Sequence, residues 1–198
     1  MSDQKRTYTM RRRAQMEEAT RLAITESAVE LHGTLGPART SVSAVAERAG
    51  VRRSTVYRHF PDEAALFGAC SAHWMASNPP PDIGRWRAIA DPAERLRVGL
   101  EEMYAYYRQG EGMLDNLLRD AAVVPVVAEL LGGFRELLAV AAEILIAGRG
   151  VRGHARRRTA AAIGHALEFS TWRSLVDRQG LGDARAVELM TRLVAAAA

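Results

Sequence analysis

The chain has 198 residues, 48% hydrophobic and 25% charged, with a formal net charge of +4; that is apolar enough for a buried core and excludes a disordered, charge-dominated chain. No apolar run reaches the roughly 18–20 residues of a membrane span and no secretory signal is visible at the N-terminus, so a cytoplasmic address without a membrane partner is expected. The lone cysteine, Cys70, excludes an internal disulfide, and an aromatic content of 6% amid recurring Ala, Leu, Arg and Glu predicts an all-α fold without strands.

The charge is uneven. Up to Phe60 there are 11 basic and 6 acidic residues, and beyond it 16 basic and 17 acidic. A basic first third joined to a near-neutral remainder fits a segment that meets a polyanion and another with a different task. Residues 1–15 read as a flexible basic arm, since Lys5, Arg6, Arg11 and Arg12 lie in a stretch without apolar periodicity. Helix one is expected from about Arg13 to Leu31, with Met16, Ala19, Leu22, Ala23, Ser27 and Leu31 at helical spacing. Two short helices follow between Thr40 and Phe60, separated by Gly50. Another runs from Asp62 to about Ser77 and ends at the breaker Asn78-Pro79-Pro80-Pro81.

Beyond the prolines, Ile83, Trp86 and Ile89 suggest a short helical turn. Asp91-Pro92 has the form of an N-cap followed by a first helical residue. The helix it opens should stop at Gly110, and a separate one should span Glu111 to Ala122. A long helix from Val126 to Ala147 carries an apolar face wide enough for two contacts. The next is expected from about Ala155 to Asp177 and the last from Asp183 onward.

The informative stretch is Thr40 to Phe60. Ser43 can cap a short helix; Val42, Val45 and Ala46 face inward, Ala49 permits a close crossing and Gly50 supplies the tight turn. Val51 then packs under the turn, while Val56 and Phe60 anchor a second helix and leave Arg52, Arg53, Ser54, Thr55, Tyr57, Arg58 and His59 largely outside. Such a donor-rich second helix suits the major groove of DNA. The alternative is an ordinary αα-hairpin with a solvated basic face.

The run Thr40-x-x-x-x-Val-Ala-x-x-Ala-Gly-Val-x-x-Ser-Thr-Val-Tyr-x-His-Phe, followed by Pro61 and Leu66-Phe67, resembles the DNA-binding domain of the tetracycline-repressor (TetR) family over residues 16–68. The resemblance implies an all-helical homodimer with a three-helix, homeodomain-like helix-turn-helix head. It also implies a C-terminal domain, here residues 69–198, that binds a small effector and dimerises. A double-stranded operator on bacterial nucleoid DNA, an effector and a second copy of the chain are the implied partners, with Thr40, Ser43 and the exposed residues of the second helix on DNA. One residue departs from the family pattern: many members carry a lysine where Glu63 stands, and a carboxylate cannot hold a phosphate. The stretch from Gly164 to Leu175 is similar to C-terminal domains of some members.

In that C-terminal part Met103, Tyr104, Tyr107, Met113, His165, Phe169 and Trp172 are candidates for an effector pocket, or else plain core. Ala160, Ala161, Gly164 and Thr171 form a small-residue strip that, with Phe134 and Leu137 on the broad helix face, is the candidate dimer surface, or else internal packing. His154 and His165 share a helix face about three turns apart, roughly 16 Å, too far to hold one metal. Neither a metal nor a cofactor is expected. No Ser-His-Asp set, phosphate loop or carboxylate pair stands out, so an enzyme is the weaker alternative. An effector-less architectural DNA-binding dimer is the other.

Overall fold

The computed structural model describes Ser2–Ala198, with side chains at Tyr8 and from Met10 onward; Lys5 and Arg6 of the expected arm have their side chains outside the described residues. Every regular element among these residues is helical. The chain divides into two compact units, one of residues 1–77 with 115–127, the other of residues 78–114 with 128–198. The boundary at 68/69 drawn from sequence falls inside a helix.

In the first unit α1 spans Ser2–Thr34, α2 Val42–Arg48, α3 Arg53–His59 and α4 Glu63–Ser77. α1 therefore begins well before Arg13 and takes in the stretch read as an arm. Residues 2–12 hold no Gly or Pro, so a helix anchored in the core can propagate backward through them. Its buried face also differs in part from the expected one: Met16, Ala19 and Leu22 are exposed, Ser27 is inside as expected, and Ile24, Thr25, Ala28 and His32 are buried with it. Thr25 and Ser27 donate their hydroxyls to the Arg21 and Ala23 carbonyls of their own helix, which makes polar side chains acceptable in the core. α1 packs against α2, α3 and α4, over a core of Ile24, Ala28, Val45, Val56, Phe60 and Phe67.

In the second unit a 3₁₀ turn, Ile83–Ala88, precedes α5. Asp91 caps α5 as expected, its carboxylate accepting from the Ala93 and Glu94 amides. α5 spans Pro92–Asp120, its residues 115–120 belonging to the first unit, and merges the two helices expected on either side of Gly110. A helical glycine costs only about 1 kcal/mol relative to alanine, and buried Met103, Tyr107, Leu114 and Leu117 on both sides offset it. α6 spans Pro125–Ile146, α7 Gly153–Leu167, α8 Phe169–Arg173 and α9 Asp183–Ala196.

The single helix expected from Ala155 to Asp177 is thus broken at Glu168, which is extended at φ −68° and ψ 133°. The cause is on α5. Tyr104 donates its hydroxyl to the Ala166 carbonyl at 2.9 Å, and Tyr107 donates to that of Leu167. These tyrosines occupy the last carbonyls of α7, and the next turn restarts on the Glu168 carbonyl, which accepts from the Thr171 and Trp172 amides.

Candidate nucleic-acid interface

α2 starts at Val42, so its cap is Ser41, extended at φ −95° and ψ 153°, whose side chain accepts from the Ala44 amide at 3.1 Å. Ser43, expected as the cap, lies one residue inside the helix and is exposed. Thr40 is half-buried and donates to the Gly36 carbonyl at 2.8 Å. Gly50 makes the turn at φ +65°, and the Val51 amide closes it on the Ala46 carbonyl at 2.9 Å. Val56 and Phe60 are buried, while Arg52, Arg53, Ser54, Tyr57 and Arg58 are exposed and Thr55 and His59 half-exposed. The two apolar anchors lie four residues apart, so the rest of the short helix necessarily faces outward.

Arg53 and Tyr57 act as one group. Nη2 of Arg53 donates to the Tyr57 hydroxyl at 3.1 Å and the guanidinium lies 5.4 Å from the ring centroid. That hydrogen bond foremost, with Glu63 the weakest contributor, holds the guanidinium above its ordinary range. Glu63 is exposed at the start of α4, and Asp62 just before it accepts from the Ala65 amide at 2.7 Å.

Three supports of this surface have no sequence signature. Arg21 on α1 donates to the His59 carbonyl at 3.1 Å and stacks 4.5 Å over Phe60, fixing the end of α3. Nε2 of His59 is shielded from solvent and has no hydrogen-bond partner among the described residues. Arg48 pairs with Glu30, joining α2 to α1, although an exposed pair contributes at most about 1 kcal/mol.

The third support is the end of α5. Asn116 donates to the His32 and Gly33 carbonyls at 2.9 and 2.8 Å, satisfying groups at the end of α1. Arg119 donates to the Leu35 carbonyl at 2.9 Å and to both Asn116 and Asp120. Asp120 accepts from the Ala38 amide at 2.9 Å. Burial pushes the Asp120 carboxyl up, but the bonds from Arg119 and Ala38 outweigh it and leave it below the usual carboxylate range. Gly36 lies inside this grip at φ +94° and ψ +157°, backbone that is essentially confined to glycine, and a β-carbon there would run into Arg119 and Asp120. Gly36→Ala is therefore expected to lower stability by about 2 kcal/mol, read as a lower urea midpoint with unchanged slope. A midpoint equal to wild type would mean that the α1–α2 turn is not held by α5.

The remaining candidates lie in the second unit. Met103, Tyr104, Tyr107, Phe169 and Trp172 come together as packed core. Tyr107 meets Phe169 edge-on at 5.4 Å and Trp172 at 5.9 Å, and both tyrosine hydroxyls are taken by carbonyls. Met113 is half-buried and His165 exposed. Of the dimer-surface set, Thr171 is buried, with its hydroxyl 3.2 Å from Nδ1 of His165, so it presents nothing outward. Phe134 and Leu137 are half-buried, Phe134 against Tyr106 and Tyr107. Ala160 and Gly164 are half-exposed and Ala161 exposed on α7; α9, packed beside it, exposes Leu189 and Leu193.

Residues 24–70 match the family of bacterial regulatory proteins described as the tetR family. No curated protein matches the chain. Among solved structures it is similar to a proposed fatty acid metabolism regulator of Clostridium perfringens, 17% identical, covering 89% of this chain and 98% of that one with a TM-score of 0.65. A TetR-like transcriptional regulator from Rhodococcus sp. RHA1 is 19% identical over 88% of this chain and 93% of its own, with a TM-score of 0.63. A TetR transcription regulator from Haloarcula marismortui is 14% identical over 91% and 97%, with a TM-score of 0.59. At these identities the likeness shows a shared fold.

Proposed function

We propose that this protein, whose residues 24–70 match the tetR family of bacterial regulatory proteins, is a repressor that binds a palindromic operator as a homodimer and is released by a small-molecule effector. The observation that carries the reading is the outward face of α3, where Arg52, Arg53, Ser54, Tyr57 and Arg58 are exposed around a helix anchored by buried Val56 and Phe60. In this reading Arg53 and Tyr57 meet base edges, while Arg52, Arg58 and the arginines of α1 meet phosphates. Thr40, Ser43, Thr55 and His59 border the same contact. The second unit serves dimerisation and effector binding, with Ala160, Ala161, Gly164, Leu189 and Leu193 offered to a second copy. Two half-sites double the phosphate contacts and set the spacing. An effector that favours a spacing mismatched to successive major grooves releases DNA by its differential affinity for the two states.

The reading is tested by titrating the protein on duplexes from the DNA flanking its coding region, against scrambled duplexes, at several salt concentrations and with pools of small molecules. Equal affinity for all duplexes would remove the operator. Glu63→Lys tests the docking. Placing a cation at the start of α4 should tighten binding to operator and scrambled DNA alike and steepen the salt dependence by roughly one unit per half-site. It should lower stability by about 0.3–1 kcal/mol through loss of a favourable charge at the helix N-terminus. An unchanged slope would place this end of α4 away from the DNA backbone.

A further inference from the structure

The second unit carries an open groove of about 480 Å³ between the 3₁₀ turn with the start of α5 and the last turns of α6, a volume in the range of small-molecule sites. Its wall along α6 is apolar, formed by Ala139, Val140, Ile144 and, just past the helix end, Ala147, and Val140 is 46% exposed. Its polar members are Arg87, Arg95 and Glu143.

Arg95 is only 7% exposed, yet its hydrogen-bond partners among the described residues are all carbonyls. Nε and Nη2 donate to Ile89 at 2.9 and 2.6 Å, Nη2 also to Ala90 at 3.3 Å, and Nη1 to Ile144 and Ala147 at 3.2 and 2.8 Å. A buried cation is ordinarily matched by a carboxylate; among the described residues the hydrogen-bond acceptors here are carbonyl dipoles, two of them at or just past the C-terminal end of α6. Arg149 nearby donates to the Leu145 and Pro92 carbonyls at 3.0 and 2.7 Å. Burial first, and then the Arg95 charge, hold its guanidinium below the usual arginine range against the pull of Asp91. Asp91 is engaged in capping α5. Glu143 is paired with Arg156 at 3.2 Å. Arg87 is exposed and has no acid partner among the described residues. Positive charge with no hydrogen-bonded carboxylate thus adjoins an apolar wall.

We propose that this groove binds a small organic anion, a carboxylate on an apolar body, with the carboxylate at Arg87 in the field of Arg95 and the apolar body along Val140, Ile144 and Ala147. Charge complementarity selects the anion and the α6 wall selects the body. The proposal deepens the effector half of the regulatory reading and rests on it only for consequences on DNA; binding itself is independent of it.

The test is calorimetric titration of the full chain with octanoate, with octanamide as the uncharged counterpart and octylamine as the cation. Octanoate should bind at one per chain, octanamide roughly tenfold or more weakly, and octylamine not measurably. Because Arg95 closes four carbonyls and its loss endangers folding, the variants are Arg87→Glu and Val140→Trp, one reversing the charge and one filling the groove. Each should weaken octanoate roughly tenfold or more with the circular dichroism spectrum and melting temperature of wild type. No octanoate binding, equal binding of octanamide, or unchanged binding in both variants overturns the proposal. If octanoate binds as expected while operator affinity stays constant at saturation, the groove stands and its regulatory role falls. Failure of operator recognition leaves the octanoate titration unaffected, so the two readings fail separately.

Discussion

Arg53→Ala and Tyr57→Ala are each expected to weaken operator binding by about 100-fold while leaving helicity and melting unchanged. A side chain reading a base edge contributes roughly 1–3 kcal/mol per site, and a dimer on a palindrome loses it twice. Both residues are exposed on α3 and neither supports the core formed by Val56 and Phe60, so the stability cost should stay within about 0.5 kcal/mol. The two variants separate by salt. Arg53→Ala removes a cation and should lower the salt slope by about one per half-site where the guanidinium also meets phosphate, whereas Tyr57→Ala should leave it unchanged. Since Arg53 donates to the Tyr57 hydroxyl, the double variant should cost less than the sum of the two. Loss of folding in either single variant would mean that α3 presents its other face to solvent, and retained discrimination between operator and scrambled DNA would move base reading elsewhere.

What was legible in the sequence follows from how local its cause is. The turn at Gly50 and the inward anchors Val42, Val45, Ala46, Val56 and Phe60 depend on neighbours within four residues, and all take their expected places. The cap of α2 shifted by two positions, from Ser43 to Ser41, because both serines precede apolar residues and only the helix start decides between them. The buried face of α1 departs from the expected one because hydropathy ranks Met16 and Leu22 above Thr25, whose hydroxyl is satisfied by its own helix. The break at Glu168 is illegible locally, since Tyr104 and Tyr107, which occupy the carbonyls at the end of α7, lie about 60 residues earlier. The grip of Asn116, Arg119 and Asp120 on residues 32–38 was hidden for the same reason. At the α3 surface composition alone names the donors, but Arg21 and the Arg53–Tyr57 bond require the fold.

The first unit should lose stability as pH falls from about 6.5 to about 4, with His32 as the cause. His32 is buried on α1, its Nδ1 3.4 Å from Cys70 Sγ and its ring 5.5 Å from Phe67. Burial pushes its pKa down from 6.5 to about 4, against the pull of the Asp120 carboxylate. Cys70, pushed up by burial to about 11, keeps its proton throughout this range and offers an imidazolium no anion. Because the folded pKa lies below the unfolded one, the unfolded chain binds the proton first; stability is complete above pH 6.5 and falls until His32 also protonates in the folded state. With about 1.4 kcal/mol per pKa unit, the loss is on the order of 3 kcal/mol. Asp120 leaves this window undisturbed, since its depressed pKa removes stability only below its ordinary value near 3.8. Urea unfolding of wild type and His32→Gln at several pH values between 7 and 4 isolates the effect. The wild-type midpoint should fall toward the variant's as the medium is acidified, because the variant lacks this proton linkage. Parallel pH profiles for the two proteins would show that the imidazole is not held neutral between α1 and α4.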